Sequence, residues 1–485
     1  MATRAEIGLR SDAWRGTSRW AIAVWVAAGV YAVLISVEAI YDHSTYRTGF
    51  DSAIYDQRLW LLANLRDPFS TVVSRPFLAD HFEPGLVLLT PLYWLGLGLP
   101  GLYVAQTIGV ALTSPALYQL GRVSGASAGL AAIPAFLWLI SPAVAAANLF
   151  DFRPATFGPL LLVLSVLAAL QNRYVLLAIT VALALSLKED VALTYFVLGL
   201  LLVHRGKRRM GGVIAGVSAT CFLLAVAIIR SLGEQYEWQG RRFAGDRGDS
   251  IPEALGWIVR HPVDSARDVL TQSGPDLLIL VLSTGALCLL APIWAVLGAP
   301  TAIYNALSAY EPQHDLLNQY YLNVAAAFFI AAAIGVRRLE SVGRVGRAMA
   351  GACVVAMIAI ALIGGVKTHD ISGRITSAER AAIERALDRI PPDAPVAAAP
   401  FLLPHLSQRV EVYSLPEPFI PLDWGSSLTS EEFAERAERV RFAAFVGRAK
   451  PVEYPGDMGK VWNMLRRDGF VPIVEGPHVQ ILERR

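Results

Sequence analysis

Charge is what this sequence has least of: Asp, Glu, Lys and Arg together make up 17% of its 485 residues, against 54% hydrophobic residues. A soluble chain of this length would carry more charge to cover two or three domains, so an ordinary cytosolic enzyme is excluded. Cysteine is scarcer still. Cys221, Cys288 and Cys353 lie far apart inside apolar segments, which leaves neither a disulfide framework nor a thiolate metal cluster. There is no Walker A sequence, no G-x-G-x-x-G, no G-x-S-x-G and no H-E-x-x-H. The formal net charge is +2, with arginines scattered at the ends of apolar runs rather than in one stripe. No nucleic-acid partner is implied.

Long apolar runs are what the sequence has instead, and the mean hydropathy is +0.46. A membrane span needs roughly 20 mostly apolar residues, and such windows recur from Trp20 to about Val366. From 367 onward the composition turns ordinary. The expected fold is therefore a polytopic α-helical membrane body over 1–366 and a small α/β domain over 367–485. The first apolar run lacks an A-x-A-like cleavage site and reads as a retained span.

Basic loops tend to stay cytoplasmic. Placing Arg4, Arg10, Arg15, Arg19, Arg122, the 172–173 turn, the RGKRR run at 205–209 and Arg337, Arg338, Arg344 and Arg347 inside gives one consistent order. It predicts about eleven spans, near 20–40, 101–120, 127–147, 155–171, 174–187, 191–204, 211–230, 276–291, 293–310, 320–336 and 348–366. The N-terminus is then cytoplasmic. The acidic loops and the C-terminal domain are extracytoplasmic, as expected of a bacterial plasma-membrane protein embedded in its bilayer.

The external segment 41–100 carries two apolar pieces. Tyr55, Leu59, Leu62 and Leu65 form a stripe at helical spacing, with Asp56, Gln57 and Asn64 off it, which predicts a surface helix with Asp56 solvated and in reach of Arg58. GLVLLTPLYWLGLGL, after Pro84, reads as a second interfacial helix. In the tail, the patterns predict helices over SAERAAIERALDRI, SEEFAERAERV and MGKVWNMLRRDG, strands over APVAAAP, VEVYSL and AAFVG, and a terminal hairpin.

Four charged clusters interrupt the apolar runs at what the topology makes one face: Asp51; His81 and Glu83; Asp151 and Arg153; and Lys188, Glu189 and Asp190. Ionisable groups so near hydrocarbon are costly unless they pair or line a wet cavity. Each also has a bland reading: Asp51 as an N-cap, Glu83 as a complement to a helix dipole, Asp151 as a salt-bridge partner of Lys188. Their convergence favours a site. The segment 234–249, with Arg241, Arg242 and aromatics, has the mixture suited to a phosphate and a sugar ring and equally suits a solvated loop; 311–321, with His314 and Tyr320, contributes to the same face or anchors the following span at the interface. His81 is a metal-ligand type without a spaced partner.

The ordered motifs F-D-x-A-I-Y-D-Q-x-L-W (50–60), H-F-x-P (81–84), P-L-Y (91–93), D-F-R-P (151–154) and K-E-D (188–190), with the α/β tail, resemble the bacterial membrane proteins grouped as domain of unknown function 2079. That family is similar, more distantly, to the GT-C superfamily of polyprenyl-phosphate-sugar glycosyltransferases, which includes protein mannosyltransferases and the lipid A aminoarabinose transferase. The resemblance implies a GT-C-like fold and transfer of a sugar from a polyprenyl phosphate donor to an extracytoplasmic glycan, lipid or protein. It places the essential carboxylate at Asp51 and a second acid at Asp151. His81, Glu83, Arg153, Lys188, Glu189, Asp190, Arg241, Arg242, His314 and Tyr320 would line the substrate site. No cofactor is implied with certainty; a divalent cation is compatible with the acids. The chain departs from the pattern where His81-Phe82-Glu83-Pro84 replaces a basic-proline element and Asp51 replaces an acidic pair. A transporter or flippase for lipid or lipid-linked sugar, and an envelope scaffold, are the alternatives from other classes.

Overall fold

The computed structural model describes residues 18–485 except 234, 347, 349–350, 353–354, 356–357, 360–374, 423–425 and 447–457. The expected span at 348–366, Cys353 and the arginines before Ser18 fall largely or wholly outside the described residues.

Three described helices are long and apolar enough to cross a membrane: α1 (Arg19–Ser44), α9 (Arg208–Leu232) and the stretch Gln319–Gly346 that contains α13 (Leu322–Gly335). The pair α4 (Ala128–Leu139) and α5 (Pro142–Leu149), bent by 45°, counts as a fourth if it forms one span. Shorter apolar helices are α6 (Gly158–Leu170), α7 (Tyr174–Leu185) and α8 (Val191–His204). Between α2 (Phe50–Ala63) and α4 runs the 26-residue α3 (Gly98–Val123). The eleven expected spans are not all present as continuous helices. Most clearly, 276–310 resolves into α11 (Gly274–Ser283), two 3-10 turns at Leu287–Leu290 and Pro292–Gly298, and α12 (Ala299–Leu307). The break falls where Gly285 and Ala286 take left-handed backbone angles and Pro292 withholds an N–H.

Packing follows from small residues. In α13 the run Val324–Ala327 and Phe329–Ala333 is fully buried, so an alanine-rich rod forms the centre of the bundle. Helices α8 and α9 cross closely through Gly199 and Gly211; a Cβ on Gly199 would lie 2.5 Å from the backbone nitrogen of Ala215. By contrast α1 leaves Val26, Val30, Val33, Leu34 and Val37 more than half exposed, an apolar surface that suits lipid rather than water.

The tail folds as the sequence patterns predict. Strands β1 (Val396–Ala398), β2 (Val412–Ser414), β3 (Phe442–Val446), β4 (Phe470–Glu475) and β5 (Val479–Arg484) form one sheet in the order β2-β1-β3-β5-β4. β1 runs parallel to β2 and β3, while β5 runs antiparallel to β3 and β4. Helices α14 (Ser377–Leu387), α15 (Ser430–Arg439) and α16 (Met458–Arg467) lie where expected, the first two opened by capping boxes at Thr376 and Thr429.

The 41–100 segment corrects two expectations. Helix α2 is no surface helix: Asp56, Gln57, Arg58 and Leu59 are buried, while Leu65, assigned to the apolar stripe, is 92% exposed. Its Ala53 and Ile54 join one core with Val72, Leu402, Leu403, Leu406 and the sheet residues Val396 and Val412. Its Tyr55 and Leu59 join another with Leu86, Leu102, Tyr103 and Phe152. The helix is thus clamped between the tail and the bundle. The expected second interfacial helix is instead a 3-10 turn at Pro84–Leu89 and one α-turn at Pro91–Trp94, because prolines reset the chain at both starts.

Candidate functional site

Gly49 precedes α2 and offers no side chain to cap it. The cap comes from Asp151, whose carboxylate accepts the backbone N–H groups of Gly49 at 2.9 Å and Asp51 at 3.1 Å. Asp51 is therefore not the N-cap; it sits in the first turn with its carboxylate turned to the guanidinium of Arg153, with which it forms an ion pair. Burial, then the neighbouring Asp51 charge, push the Asp151 carboxyl above its ordinary range, opposed by the Gly49 N–H and Arg153. Burial alone would lower the Arg153 guanidinium; Asp51, with Tyr55, Tyr320 and Asp151, together outweighs it and holds Arg153 above its ordinary range.

The loop carrying Asp151 and Arg153 is itself fixed. The Arg153 N–H donates to Gln106 Oε1 at 3.0 Å, and the Phe152 N–H to Ser52 Oγ at 3.3 Å; Ser52 also pairs with Tyr103 at 2.7 Å. Gln319, with its amide oriented to suit its neighbours, accepts from Arg153 Nη2 at 2.9 Å. Tyr320 lies within electrostatic reach of both Arg153 and Lys188. Tyr310 senses Asp51, Arg153, Tyr320 and Arg242. Arg242 stacks on the Tyr310 ring with its guanidinium carbon 3.3 Å from the centroid, and on Trp238 at 5.0 Å. Asp51, Arg153, Tyr310, Tyr320 and Arg242 thus lie within electrostatic reach of one another beside the start of α2.

The second group is His81 with Glu189. His81 Nδ1 lies 2.9 Å from Glu189 Oε1, and the Phe82 N–H donates to Glu189 Oε2 at 3.0 Å. Burial alone would lower the imidazole and raise the carboxyl; their mutual attraction reverses both, raising His81 and holding Glu189 at about 2. Lys188 pairs with Asp190 at 3.4 Å rather than with Asp151. Glu83 accepts from the Tyr55 hydroxyl at 2.9 Å, and burial raises its carboxyl. Asp80, unassigned from sequence, bridges Arg75 at 2.6 Å and Arg58 at 3.4 Å. Arg58 therefore pairs with Asp80 and not with Asp56.

Asp56, expected in water, is fully buried and accepts from Tyr93 Oη at 2.6 Å, Ser407 Oγ at 2.5 Å and Gln408 Nε2 at 3.2 Å. Its partner on the helix, Gln57, donates to Thr71 Oγ1 at 2.8 Å and to the Val410 carbonyl at 3.2 Å, while accepting from the Thr71 N–H at 2.9 Å. Thr71 in turn exchanges hydrogen bonds with both backbone groups of Val412, on the edge strand β2. These side chains dock the tail.

The 234–249 segment, which equally suited a solvated loop, is α10 (Gln235–Ala244) followed by a turn, with Arg242 half-buried and Arg241 exposed. His314 spends its Nε2 on the Ser308 carbonyl at 2.8 Å, a loop-closing contact. Among the described residues no three His, Cys, Asp or Glu side chains gather as a cation-binding set. Residues that sequence reasoning missed here are Trp238, Tyr310 and Gln319. The first falls in a segment marked for its aromatics and the third in one marked for its polar residues; no pattern singled them out.

A profile of the family described as Predicted membrane protein (DUF2079) matches residues 43–430. No curated protein matches the sequence. Among solved structures the chain is similar in fold to ArnT from Cupriavidus metallidurans bound to undecaprenyl phosphate, at a TM-score of 0.55 and 14% identity over 94% of this chain and 98% of that one. The apo state of the same protein matches at 0.54 and 13%, over 96% and 98%. The likeness is one of fold.

Proposed function

The chain belongs to the DUF2079 family of predicted membrane proteins, and from that premise we propose that it is a membrane glycosyltransferase. It takes a sugar from a polyprenyl phosphate in the outer leaflet and passes it to an extracytoplasmic glycan, lipid or protein. The carrying observation is the Asp51–Arg153 pair, held at the start of a clamped helix and near the stacked Arg242 and Tyr310. A solved protein of the same fold binds undecaprenyl phosphate, which supports a lipid-phosphate donor here. The basic loops keep the N-terminus cytoplasmic, and the Asp51 end and the tail outside. The membrane body covers 1–366 and the external domain 367–485.

In the reaction Asp51 takes the proton of the acceptor hydroxyl, whose oxygen bonds to the anomeric carbon. The bond from that carbon to the phosphate oxygen breaks, and the electron pair leaves with polyprenyl phosphate. Arg153, Lys188 and Arg242 balance that charge. In the free protein Arg153 occupies the Asp51 carboxylate; an arriving phosphate competes for the guanidinium and releases the base. His81, Glu83, Glu189 and Asp190 hold the wall opposite, Tyr320 and Tyr310 offer faces to the sugar, and Arg241, His314 and Asp151 frame its rim. No step is routed through a cation.

Comparative glycan and lipid analysis of a deletion strain tests this reading. The strain lacks a glycoconjugate that wild type restores and Asp51→Asn does not, at equal protein in the membrane. An unchanged glycan and lipid profile in the deletion strain would overturn the transferase assignment, and restoration by Asp51→Asn would overturn the role of Asp51.

A further inference from the structure

A cavity of about 810 Å³ opens between α7 and α9, far from Asp51. Connectivity fixes its place. Helix α6 leaves the Arg153 loop and ends at 171–173; α7 returns to Lys188, and α8 descends again to 205–207, where Lys207 Nζ donates to the Ala169 carbonyl at 2.8 Å and contacts Asn172. The basic lip of the cavity therefore lies at the end of the bundle opposite the Asp51 site, and the groove runs from it along α7 as far as Leu185.

Its walls are apolar: Val181 and Leu185 on α7 face Ile214 and Val217 on α9, with Val213 65% and Tyr174 65% exposed at its mouth. Its lip is not. Lys207, Arg208 and Arg209 line it together, and Arg208 begins a 25-residue helix whose preceding residue makes no side-chain cap. Three cations at the positive end of a long helix repel one another and the helix dipole. Among the described residues no carboxylate pairs with any of the three; Lys207 meets only neutral oxygens.

We infer that this groove binds a phospholipid of net negative headgroup, its acyl chain against α7 and α9 and its phosphate among Lys207, Arg208, Arg209 and the first N–H groups of α9. Basic pockets between transmembrane helices select anionic lipids by this arrangement. A protein segment fits poorly, because the apolar walls offer nothing to its backbone N–H and C=O groups. A zwitterionic lipid would turn a cationic headgroup toward three cations. This site is independent of the transferase reading and stands or falls without it.

The test is a native mass spectrometry titration of the full chain in detergent with phosphatidylglycerol and phosphatidylcholine of matched acyl chains. Phosphatidylglycerol binds preferentially, and Arg208→Gln with Arg209→Gln weakens it by roughly 5-fold per arginine removed. Val213→Trp, which fills the groove, abolishes the preference. Both arginines are exposed, so their replacement leaves the fold intact, and monodispersity in size exclusion checks each variant. Glycerol phosphate, a headgroup without chains, fails to compete at equal concentration. Equal binding of the two lipids, unchanged phosphatidylglycerol affinity in the monodisperse arginine variant, or full competition by glycerol phosphate overturns the lipid site.

Discussion

Asp151 caps the helix that Asp51 opens. Its carboxylate receives the N–H groups of Gly49 and Asp51 from 102 and 100 residues away, so a loop between helices of the bundle completes a helix outside it. An N-cap is worth about 1 kcal/mol, and Asn caps as well as Asp. Asp151→Ala is therefore expected to lower stability by about 1–2 kcal/mol while Asp151→Asn stays near wild type, measured by thermal unfolding in detergent. If activity falls equally in both variants at unchanged stability, Asp151 handles charge rather than capping.

Asp56 and Asp51 separate into different tasks. Asp56→Ala strands the buried hydroxyl of Ser407 and the half-buried hydroxyl of Tyr93, while the exposed Gln408 amide turns to water. Each unsatisfied group costs about 1–3 kcal/mol, so the variant should lose about 3 kcal/mol or more and become protease-sensitive near residue 407. Asp51→Asn should shift the unfolding midpoint little. Limited proteolysis of the two variants side by side distinguishes them.

Gly85 has its N–H on the Ser186 carbonyl at 2.9 Å, and a Cβ there would collide with the Ser186 hydroxyl. Gly85→Ala is expected to destabilise by about 1–3 kcal/mol through overpacking. It should also displace the 81–84 turn from Glu189, read as loss of the pH dependence described next.

The His81–Glu189 pair gives stability a pH window. His81 titrates above its ordinary value when folded, so its contribution is complete below the ordinary imidazole range and is lost as pH rises through the raised value. Glu189 titrates at about 2, so its contribution is present above the ordinary carboxylate range and is lost as pH falls toward that value. The unfolding midpoint of wild type relative to Glu189→Gln should therefore be largest between those two ranges and shrink on the alkaline side. A constant difference across pH would refute the pairing.

Much of this was legible in the sequence because it is local. Every tail element matched its pattern, since capping boxes at Thr376 and Thr429 and the short apolar runs of β1 and β3 act over a few residues. The charged clusters met because each ends an apolar run, and reversing runs return their ends to one side. Tyr320 comes within reach of Arg153 for the same reason. What failed was the environment of α2. Asp56 and Gln57 look solvated beside their neighbours, and their partners lie some 350 residues onward in a tail whose docking leaves no periodic trace in the helix. The 276–310 region misled differently: its composition is that of two spans, and the left-handed turn at Gly285–Ala286 together with Pro292 breaks the helix.

The clasp between Thr71 and Val412 spans 341 residues. A chain emerging from the ribosome makes the threonine early and must hold it in waiting until the second strand is synthesised. Helix α2, with Asp51 on its first turn, has until then one bare flank and a sheet edge still to come. Docking of the tail on α2 therefore waits for residue 412, and a chain stopped before it keeps the bundle contacts of Tyr55 and Leu59 but lacks the partner of this flank.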